Sequence, residues 1–278
     1  MSSVTIGIIG GTGGMGRLFQ ELFETSGHRV LIAGRKTELT SLELARRSDI
    51  VIISTPVDAA IQIAQTIGPV MTENQALMDF CSLKEEIVTA MLKGTRRAEV
   101  VGTHPLFGPF TRSLVGQNII LTPGRGDKWR CWIDEEFKKM GAATQIMGAD
   151  VHDRTMAVIQ GLTHLLTIST GRTLQKLNMR PEEAMLSATP IFKVSLDFIG
   201  RLFAQDLELY SMLVGRNKYV PEMLDTFLGA MEEGRQALLN GAPNEGITFL
   251  EEIKKYLGPF CEEGLKQSNQ YLSYNRPA

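Results

Sequence analysis

The sequence predicts two domains, a doubly wound α/β domain over residues 1–149 and an all-α domain over residues 150–278. In the first part of the chain, short and nearly continuous apolar runs alternate with amphipathic stretches. This alternation is typical of buried parallel strands joined by crossover helices. After Asp150 the strand pattern disappears, and helical periodicity continues to Tyr274 with breaks at proline-containing turns.

Six apolar runs rich in β-branched residues predict the strands of the first domain. In chain order they are VTIGII, RVLIA, DIVIIST, ALMDF, EVVGTH and NIILTP. The stretches VDAAIQIAQTIGPV and KEEIVTAMLKG have the length and the amphipathic pattern of crossover helices. The order of these elements favours a parallel sheet that is covered by helices on both faces.

The helices predicted for the second domain carry wide apolar faces. Such faces must be buried against something, because large exposed apolar patches are rare on soluble monomers. We therefore expect the helical domain to pack against a second copy of itself and form a homodimer.

Composition and charge exclude several classes of partner. The formal net charge is −2 at pH 7, so no basic surface for nucleic acid is expected. No apolar run approaches the roughly 18 residues that span a bilayer, and the first residues lack a signal-peptide pattern, which predicts a cytoplasmic protein. Cys81, Cys131 and Cys261 lie far apart in the sequence and predict reduced thiols, with neither disulfides nor a metal site.

The segment GIIGGTGGMG places a G-x-G-x-x-G pattern between the first predicted strand and an amphipathic helix. In this context the pattern predicts a Rossmann-type dinucleotide site, although a tight turn without a ligand is the alternative. Gly11 can make the tight turn, Gly13 can let the backbone approach a diphosphate, and Gly16 can allow close helix–strand packing. The phosphates would lie at the helix N-terminus, where N–H groups favour negative charge. The residues assigned to the cofactor in this segment are Gly11, Thr12, Gly13, Gly14, Met15 and Gly16.

The turn after the second predicted strand indicates which dinucleotide binds. NAD-binding proteins usually carry an acidic residue there for the ribose 2′-hydroxyl, but this chain has Gly34 followed by Arg35 and Lys36. Without a carboxylate, a 2′-phosphate is not repelled, and a guanidinium can bind it with two hydrogen bonds. We therefore favour NADP over NAD, and we assign Ser54 and Pro56, at the end of the third strand, to the same cofactor.

Two polar side chains follow neighbouring predicted strands at the edge where ligands of open α/β sheets bind. Ser82 lies in DFCSLKEE after the fourth strand, and His104 lies in GTHPLFGPF just past the fifth. A histidine whose pKa lies near the working pH can accept a proton in a reaction. The alternative for His104 is a histidine that caps the strand end by hydrogen bonding.

Five segments in this order resemble the prephenate and arogenate dehydrogenase family of tyrosine biosynthesis, and most closely the dehydrogenase part of its fusions with chorismate mutase. They are GGTGGMGRLF, the pattern D-x-x-S-x-K that begins at Asp79, GTHPLFGP, VHDRTMAVIQGLTHLL and GRLFAQDLELY. The resemblance covers essentially the whole chain. It implies oxidative decarboxylation of prephenate to 4-hydroxyphenylpyruvate, or of arogenate to tyrosine, with hydride transfer to NADP or NAD.

The resemblance also assigns roles to individual residues. His104 matches the catalytic histidine that accepts the proton of the substrate's 4-hydroxyl group, and Ser82 matches the serine that hydrogen-bonds this hydroxyl. Arg201 matches an arginine that pairs with a substrate carboxylate, and His164 matches a histidine that lines the pocket. The alternative for Arg201 is an ion pair with its neighbour Asp206. The alternative for His164 is an ordinary core position. His152 reads equally well as part of the first turn of a helix, and is left out of the site.

Three other functions stay open at this point. An NADP-linked reductase of a deazaflavin or an imine would share the glycine-rich segment and the basic turn. A dehydrogenase for an amino-substituted prephenate would share the fold. A regulator that binds NADP without chemistry is the third, and the joint presence of Ser82, His104 and Arg201 argues against it.

Overall fold

The computed structural model describes residues 3–274, and the chain forms two compact units that divide between Met156 and Ala157. The first unit contains a seven-stranded sheet with helices between strands, which confirms the predicted α/β class. Its strands are β1 (Thr5–Ile9), β2 (Arg29–Ala33), β3 (Ile50–Ile53), β4 (Ala76–Asp79), β5 (Glu99–Pro105), β6 (Asn118–Arg125) and β7 (Ala143–Ile146). Its helices are α1 (Gly14–Thr25), α2 (Ser41–Arg47), α3 (Val57–Ile67), α4 (Glu85–Gly94), α5 (Lys128–Lys139) and α6 (Ala149–Met156), with a 3-10 helix at Gly68–Val70.

The strand order is β2-β1-β3-β4-β5-β6-β7, and the first five strands are parallel as predicted. The prediction of a parallel β6 is wrong, because β6 runs antiparallel to β5. Residues 106–117 join these two strands without a helix, so the chain returns in the opposite direction. Strand β7 pairs with β6 and is not among the predicted strands, because its residues ATQI are mostly exposed and form no continuous apolar run.

Both faces of the sheet are buried by helices, which confirms the doubly wound arrangement. On one face, strand residues such as Val51 pack against the apolar sides of α2, α3 and α4. On the other face, Ile52 and its neighbours pack against Phe19 of α1 and Phe137 of α5. The carboxyl ends of β1, β3, β4 and β5 therefore meet at one edge of the sheet.

The division between the units lies seven residues after the predicted boundary at residue 149. Helix α6 accounts for the difference, because it packs on α4 and β6 of the first unit. Two of its side chains, His152 and Asp153, form hydrogen bonds to residues of that unit. The strand pattern ends before α6, whereas the contacts of the first unit continue through it.

The second unit is helical throughout residues 157–274, as predicted. It begins with a π-helical segment at Ala157–Leu162, and a second π-helical segment occupies Gln236–Asn240. Its α-helices are α7 (Thr163–Lys176), α8 (Pro181–Ser187), α9 (Pro190–Phe203), α10 (Leu207–Gly215), α11 (Val220–Arg235), α12 (Pro243–Leu257) and α13 (Phe260–Tyr274).

The second unit buries few of its apolar side chains within the single chain. Its buried cluster consists of Leu174, Ala184 and Leu196, whereas large residues such as Leu186 and Leu239 are 89% and 77% exposed. Apolar surface on this scale is typical of a protein–protein interface. None of the helices within residues 3–274 combines the length and the apolar composition that crossing a membrane requires.

Candidate active site

The glycine-rich turn joins β1 to α1 at the carboxyl edge of the sheet. Gly10 has a φ of +89°, and its N–H donates to the Ala33 carbonyl at 2.7 Å. Gly10 thus carries the positive φ, and its carbonyl accepts the Gly13 N–H at 2.9 Å, which places Gly11 and Thr12 at the centre of the tight turn. Gly11 is buried, and a Cβ at this position would lie 2.6 Å from Ile32 Cγ2. Gly11 therefore serves the packing of the turn against β2.

The N-terminus of α1 presents bare backbone at this edge. Gly13 is its N-cap and provides no side-chain cap, while Thr12, Gly13 and Gly14 are exposed. A Cβ on Gly16 would lie 2.5 Å from the Gly10 carbonyl oxygen, so only glycine allows this close approach of helix and turn. The side chain of Met15 is partly buried and packs against the core.

These features fit the diphosphate of a dinucleotide. Uncapped N–H groups at a helix N-terminus attract anions, and the N-cap residue Gly13 supplies no side chain to them. The loop after β5 approaches the same helix, because a Cβ placed on Gly14 would lie 2.8 Å from Pro109 Cβ. Ser54 and Pro56 follow β3 beside the turn, where the Ser54 N–H donates to the Ile9 carbonyl at 2.7 Å.

The turn after β2 leaves two cationic side chains exposed beside the glycine-rich turn. Two hydrogen bonds to Thr37 hold this turn together. The Gly34 N–H donates to Thr37 Oγ1 at 2.8 Å, and Thr37 Oγ1 donates to the Gly34 carbonyl at 3.0 Å. A Cβ at Gly34 would come within 3.0 Å of Thr12 Oγ1, so a larger residue would crowd the cofactor turn. Arg35 and Lys36 are exposed, and neither forms an ion pair with a carboxylate in residues 3–274.

Ser82 and His104 lie at the carboxyl edge on neighbouring strands. Ser82 follows β4 and is half-buried, and its hydroxyl has no hydrogen-bond partner within the described part of the chain. His104 is inside β5, opposite Ile120 of β6, and not past the strand end as predicted. The two residues that the motifs assign to the reacting hydroxyl thus belong to neighbouring strands at the same edge of the sheet.

The imidazole of His104 is buried, and its pKa is lowered. It is only 3% exposed, and burial lowers its pKa well below the ordinary value, with nearby His152 and the ammonium of Lys84 acting in the same direction. The prediction of a pKa near the working pH is therefore corrected. A neutral ring keeps a nitrogen lone pair that can accept a proton.

His152, which the sequence analysis left out of the site, contacts His104. It is fully buried on α6, and its Nε2 lies 2.8 Å from His104 Nδ1. Its other nitrogen, Nδ1, lies 2.7 Å from Asp153 Oδ1. Burial lowers the pKa of His152, while the hydrogen bond to Asp153 acts in the opposite direction. The one available signal was that His152 lies in the family-like segment VHDRTMAVIQGLTHLL.

A buried ion pair supports the same histidines from the sheet side. Lys84 is fully buried, and its ammonium bonds to the carboxylate of Asp79 and donates to the Thr103 carbonyl at 2.8 Å. Asp153 Oδ1 and Oδ2 accept the N–H groups of Lys84 and Glu85 at 2.7 and 3.0 Å, which caps the start of α4. The D-x-x-S-x-K segment therefore supplies the buried ion pair of Asp79 and Lys84 as well as Ser82.

The second unit holds the other two predicted site residues. Arg201 is in the last turn of α9, exposed, and without an ion pair in residues 157–274. The alternative of a pair with Asp206 does not occur, because this carboxylate caps α10 through the N–H groups of Glu208 and Leu209. His164 is half-buried on α7, and burial lowers its pKa.

The ring of His164 packs edge-on against Tyr210, with ring centroids 4.9 Å apart. Arg201 and His164 thus differ in exposure, and the histidine makes an aromatic contact with a residue of α10. Within residues 3–274, no group of three or more histidine, cysteine, aspartate or glutamate side chains is arranged to hold a metal ion.

Two family models match successive parts of the chain. The model described as prephenate dehydrogenase, nucleotide-binding domain, matches residues 27–146, and the one described as prephenate dehydrogenase, dimerization domain, matches residues 148–254. Together they cover well over half of the sequence. The glycine-rich turn precedes the first matched residue, so its assignment depends on its geometry and its sequence pattern.

Curated relatives match over almost the whole chain. A probable arogenate/prephenate dehydrogenase of Methanocaldococcus jannaschii is 31% identical, and the match covers 97% of this chain and 64% of that protein. The T-protein of Haemophilus influenzae is 30% identical, with 95% of this chain and 70% of that protein covered. The chain thus spans roughly two thirds of the length of these relatives.

Solved structures show the same fold at lower identity. Prephenate dehydrogenase from Aquifex aeolicus, in complex with hydroxyphenyl propionate and NAD+, superposes with a TM-score of 0.72 at 20% identity, covering 92% of this chain and 98% of that one. Arogenate dehydrogenase from Synechocystis superposes with a TM-score of 0.70 at 16% identity, covering 90% and 98%.

Proposed function

The chain belongs to the prephenate dehydrogenase family, and on that premise we propose that it oxidises and decarboxylates prephenate or arogenate to 4-hydroxyphenylpyruvate or tyrosine. The first unit is the family's NAD(P)-binding domain, and the second is its dimerization domain, which indicates a homodimer. In the proposed reaction, hydride leaves the carbon that carries the 4-hydroxyl group and the ring carboxylate departs as CO2. A nicotinamide supplies the hydride acceptor when it is bound.

The observation that carries the proposal is the buried, neutral His104 at the sheet edge that also carries Ser82 and the glycine-rich turn. Removal of hydride makes the substrate hydroxyl strongly acidic, so a nearby proton acceptor stabilises the transition state. His104 can accept this proton, because burial holds its pKa low and keeps the ring neutral. Ser82 can orient the hydroxyl, since its own Oγ has no other partner in residues 3–274.

Arg201 is proposed to bind a substrate carboxylate. Prephenate carries two carboxylates, and a guanidinium binds such a group through two parallel hydrogen bonds. The guanidinium of Arg201 is accessible, and no carboxylate of the second unit's described residues competes for it. His164 is proposed to line the pocket, with its ring orientation held by Tyr210.

NADP is the proposed cofactor. Arg35 and Lys36 are exposed beside the cofactor turn, and Gly34 occupies the position where an acidic residue would hold the 2′-hydroxyl of NAD. The remaining proposed contacts are backbone groups of the turn, together with Ser54 and Pro56 after β3. Replacement of Arg35 by alanine tests this point, and we expect a roughly tenfold loss of preference for NADP, the size of one charge-assisted contact.

The activity is tested by following reduced nicotinamide by its near-ultraviolet absorbance. Prephenate and arogenate are each combined with NADP and with NAD. Rapid reduction in at least one combination supports the proposal, and the preferred combination identifies the substrate side chain and the cofactor. Absence of reduction in all four contradicts it and favours the amino-substituted substrate or the regulator.

The role of His104 is tested by replacing it with asparagine, which retains polarity but not the basic nitrogen. We expect kcat to fall by about 10² or more with the affinity for the cofactor unchanged. The matched control is His28→Asn in the same unit, because His28 lies at the start of β2, away from the carboxyl edge, where its Nδ1 accepts from the Val4 N–H. Equal kcat values for the two variants would contradict the assignment.

A further inference from the structure

We propose that His104 and His152 form a closed proton store, in which the hydroxyl proton of the substrate moves inward during hydride transfer and returns to the product. This inference rests on the proposed function and adds His152 and Asp153 as positioning residues. It follows from the two short contacts in the row Asp153–His152–His104, whose distances are 2.7 and 2.8 Å.

The hydrogen-bonding chemistry fixes the protonation of each ring. Both oxygens of the Asp153 carboxylate accept backbone N–H groups of α4, so His152 Nδ1 must be the donor in its bond to Asp153. In a neutral ring, His152 Nε2 is then the acceptor, and it accepts from His104 Nδ1. His104 Nε2 consequently carries the lone pair. The chain of bonds makes Nε2 the basic atom of the histidine at the sheet edge.

The charged groups around the two rings decide where an added proton rests. Burial and the ammonium of Lys84 lower the pKa of His152, whereas the carboxylates of Asp153 and Asp79 raise it. Burial, His152 and Lys84 all lower the pKa of His104. His152 bonds directly to Asp153, so the added charge is best placed on that ring.

Each proton step can be written with its bonds. As hydride leaves the ring carbon with its electron pair, for which a bound nicotinamide would be the acceptor, the hydroxyl proton moves to His104 Nε2. The Nδ1 proton of His104 moves to His152 Nε2, and imidazolium charge rests beside Asp153. When the carboxylate leaves as CO2, its bonding electrons complete the aromatic ring and leave a phenolate oxygen. The two protons then move back along the same path and produce the phenol.

Burial explains why the protons return instead of leaving. His152 is completely buried and His104 is 3% exposed, so the row offers no direct route to water. None is needed, because the phenol product keeps a hydroxyl proton, just as the substrate did. A pair of histidines that returns the proton it receives therefore suits this reaction, because the hydroxyl group carries one proton in the substrate and one in the product.

The protonation states are tested by NMR of the protein with isotope-labelled histidine. The chain has four histidines, so replacing them one at a time assigns every ring. We expect protonated Nδ1 and unprotonated Nε2 for both His104 and His152 in the wild type. A His104 ring with its proton on Nε2 would overturn the proposal whether or not the protein is active, whereas an inactive wild type would overturn only the proposed function.

The variant His152→Gln separates proton uptake by residue 152 from the orientation of His104 by that residue. The glutamine carbonyl can still accept from His104 Nδ1 and keep its tautomer, but it cannot take up the proton. We expect kcat to fall by about tenfold or more, KM to change little, and the His104 spectrum to stay as in the wild type. An unchanged kcat would show that His152 only orients its neighbour and would overturn the store.

Asp153→Asn provides the opposite test. The amide can donate to His152 Nδ1, which moves the protons of both rings to Nε2 and removes the acceptor at the sheet edge. We expect a fall in kcat of about 10² or more together with the altered NMR tautomers. The matched control, Asp150→Asn, changes an exposed carboxylate one turn earlier on α6 and should retain both the tautomers and kcat. An Asp153→Asn protein with wild-type kcat would contradict the proposal.

Discussion

The two units hold their functional side chains in opposite ways. In the first unit, His104 and His152 are buried, and every bond in their row is short and directional. In the second unit, Arg201 is exposed at a helix end and His164 is half-buried with one aromatic contact. The groups that would move protons are fixed by the fold, whereas the groups that would bind the substrate remain accessible.

This difference follows from what each task requires. Proton transfer depends steeply on the distance and the orientation of donor and acceptor, so rigid strands and a helix cap suit it. Binding a carboxylate tolerates a longer and more adaptable side chain, since the guanidinium offers several donors. We therefore expect changes in the first unit to affect folding and catalysis together, and changes in the second unit to affect mainly substrate affinity.

The largest effect is expected from Lys84→Met. Removing the ammonium leaves Asp79 buried without its charge partner, and breaking one side of a buried pair costs about 3–5 kcal/mol of unfolding free energy. Denaturant titration measures the loss, and Lys93→Met on the same helix, at an exposed position, is the control. A stability equal to that of the control would mean that the buried pair does not support the edge of the sheet.

Gly16→Ala should have a smaller but still clear effect. The new Cβ would lie 2.5 Å from the Gly10 carbonyl, so the turn must shift, at a cost of about 1–3 kcal/mol. Titration with the cofactor should also show weaker binding. Gly229→Ala on α11 is the matched control, because a Cβ there meets no atom within 4 Å and the helix should gain roughly 1 kcal/mol. Destabilisation of both variants alike would contradict the close approach.

The sequence predicted the parts of the first unit that depend on local patterns. Buried parallel strands appear as apolar runs, and the glycine pattern between strand and helix marks the cofactor turn. It could not show that Gly10 carries the positive φ of the turn, because that is a backbone angle, nor could it find the mostly exposed β7.

The sequence could not identify His152 as a site residue either. Its segment has the pattern of any first helical turn, and the bond to His104 joins residues 48 positions apart. The burial that lowers the pKa of His104 is likewise a property of the packed sheet and not of the GTHPLFGP segment alone. Long-range packing, and not local propensity, therefore determines the chemistry of the row.

Arg201→Ala tests the other side of the comparison. Losing one charge-assisted contact should raise KM for prephenate or arogenate about 10- to 100-fold and leave the unfolding free energy nearly unchanged, because the side chain is exposed and unpaired in residues 157–274. Arg235→Ala is the matched control, since Arg235 also lies in the last turn of a helix and pairs with Glu232. If Arg201→Ala lost much of its unfolding free energy with no change in KM, Arg201 would contribute to folding and not to substrate binding.

The smallest expected effect is a difference in how stability depends on pH. Burial lowers the pKa values of His104 and His164, so below about pH 6.5 the unfolded chain binds protons that these buried rings do not. The free energy of unfolding should therefore decrease as the pH falls from 7 to 5, and the contribution of each ring is fully retained only above its unfolded pKa. His104→Gln should flatten this dependence more than His164→Gln, because His104 is almost completely buried and His164 only half-buried. Denaturant titrations at several pH values measure how steeply the unfolding free energy depends on pH in each variant. An equal or larger flattening in His164→Gln would contradict the expectation that the buried His104 contributes more to this dependence than His164.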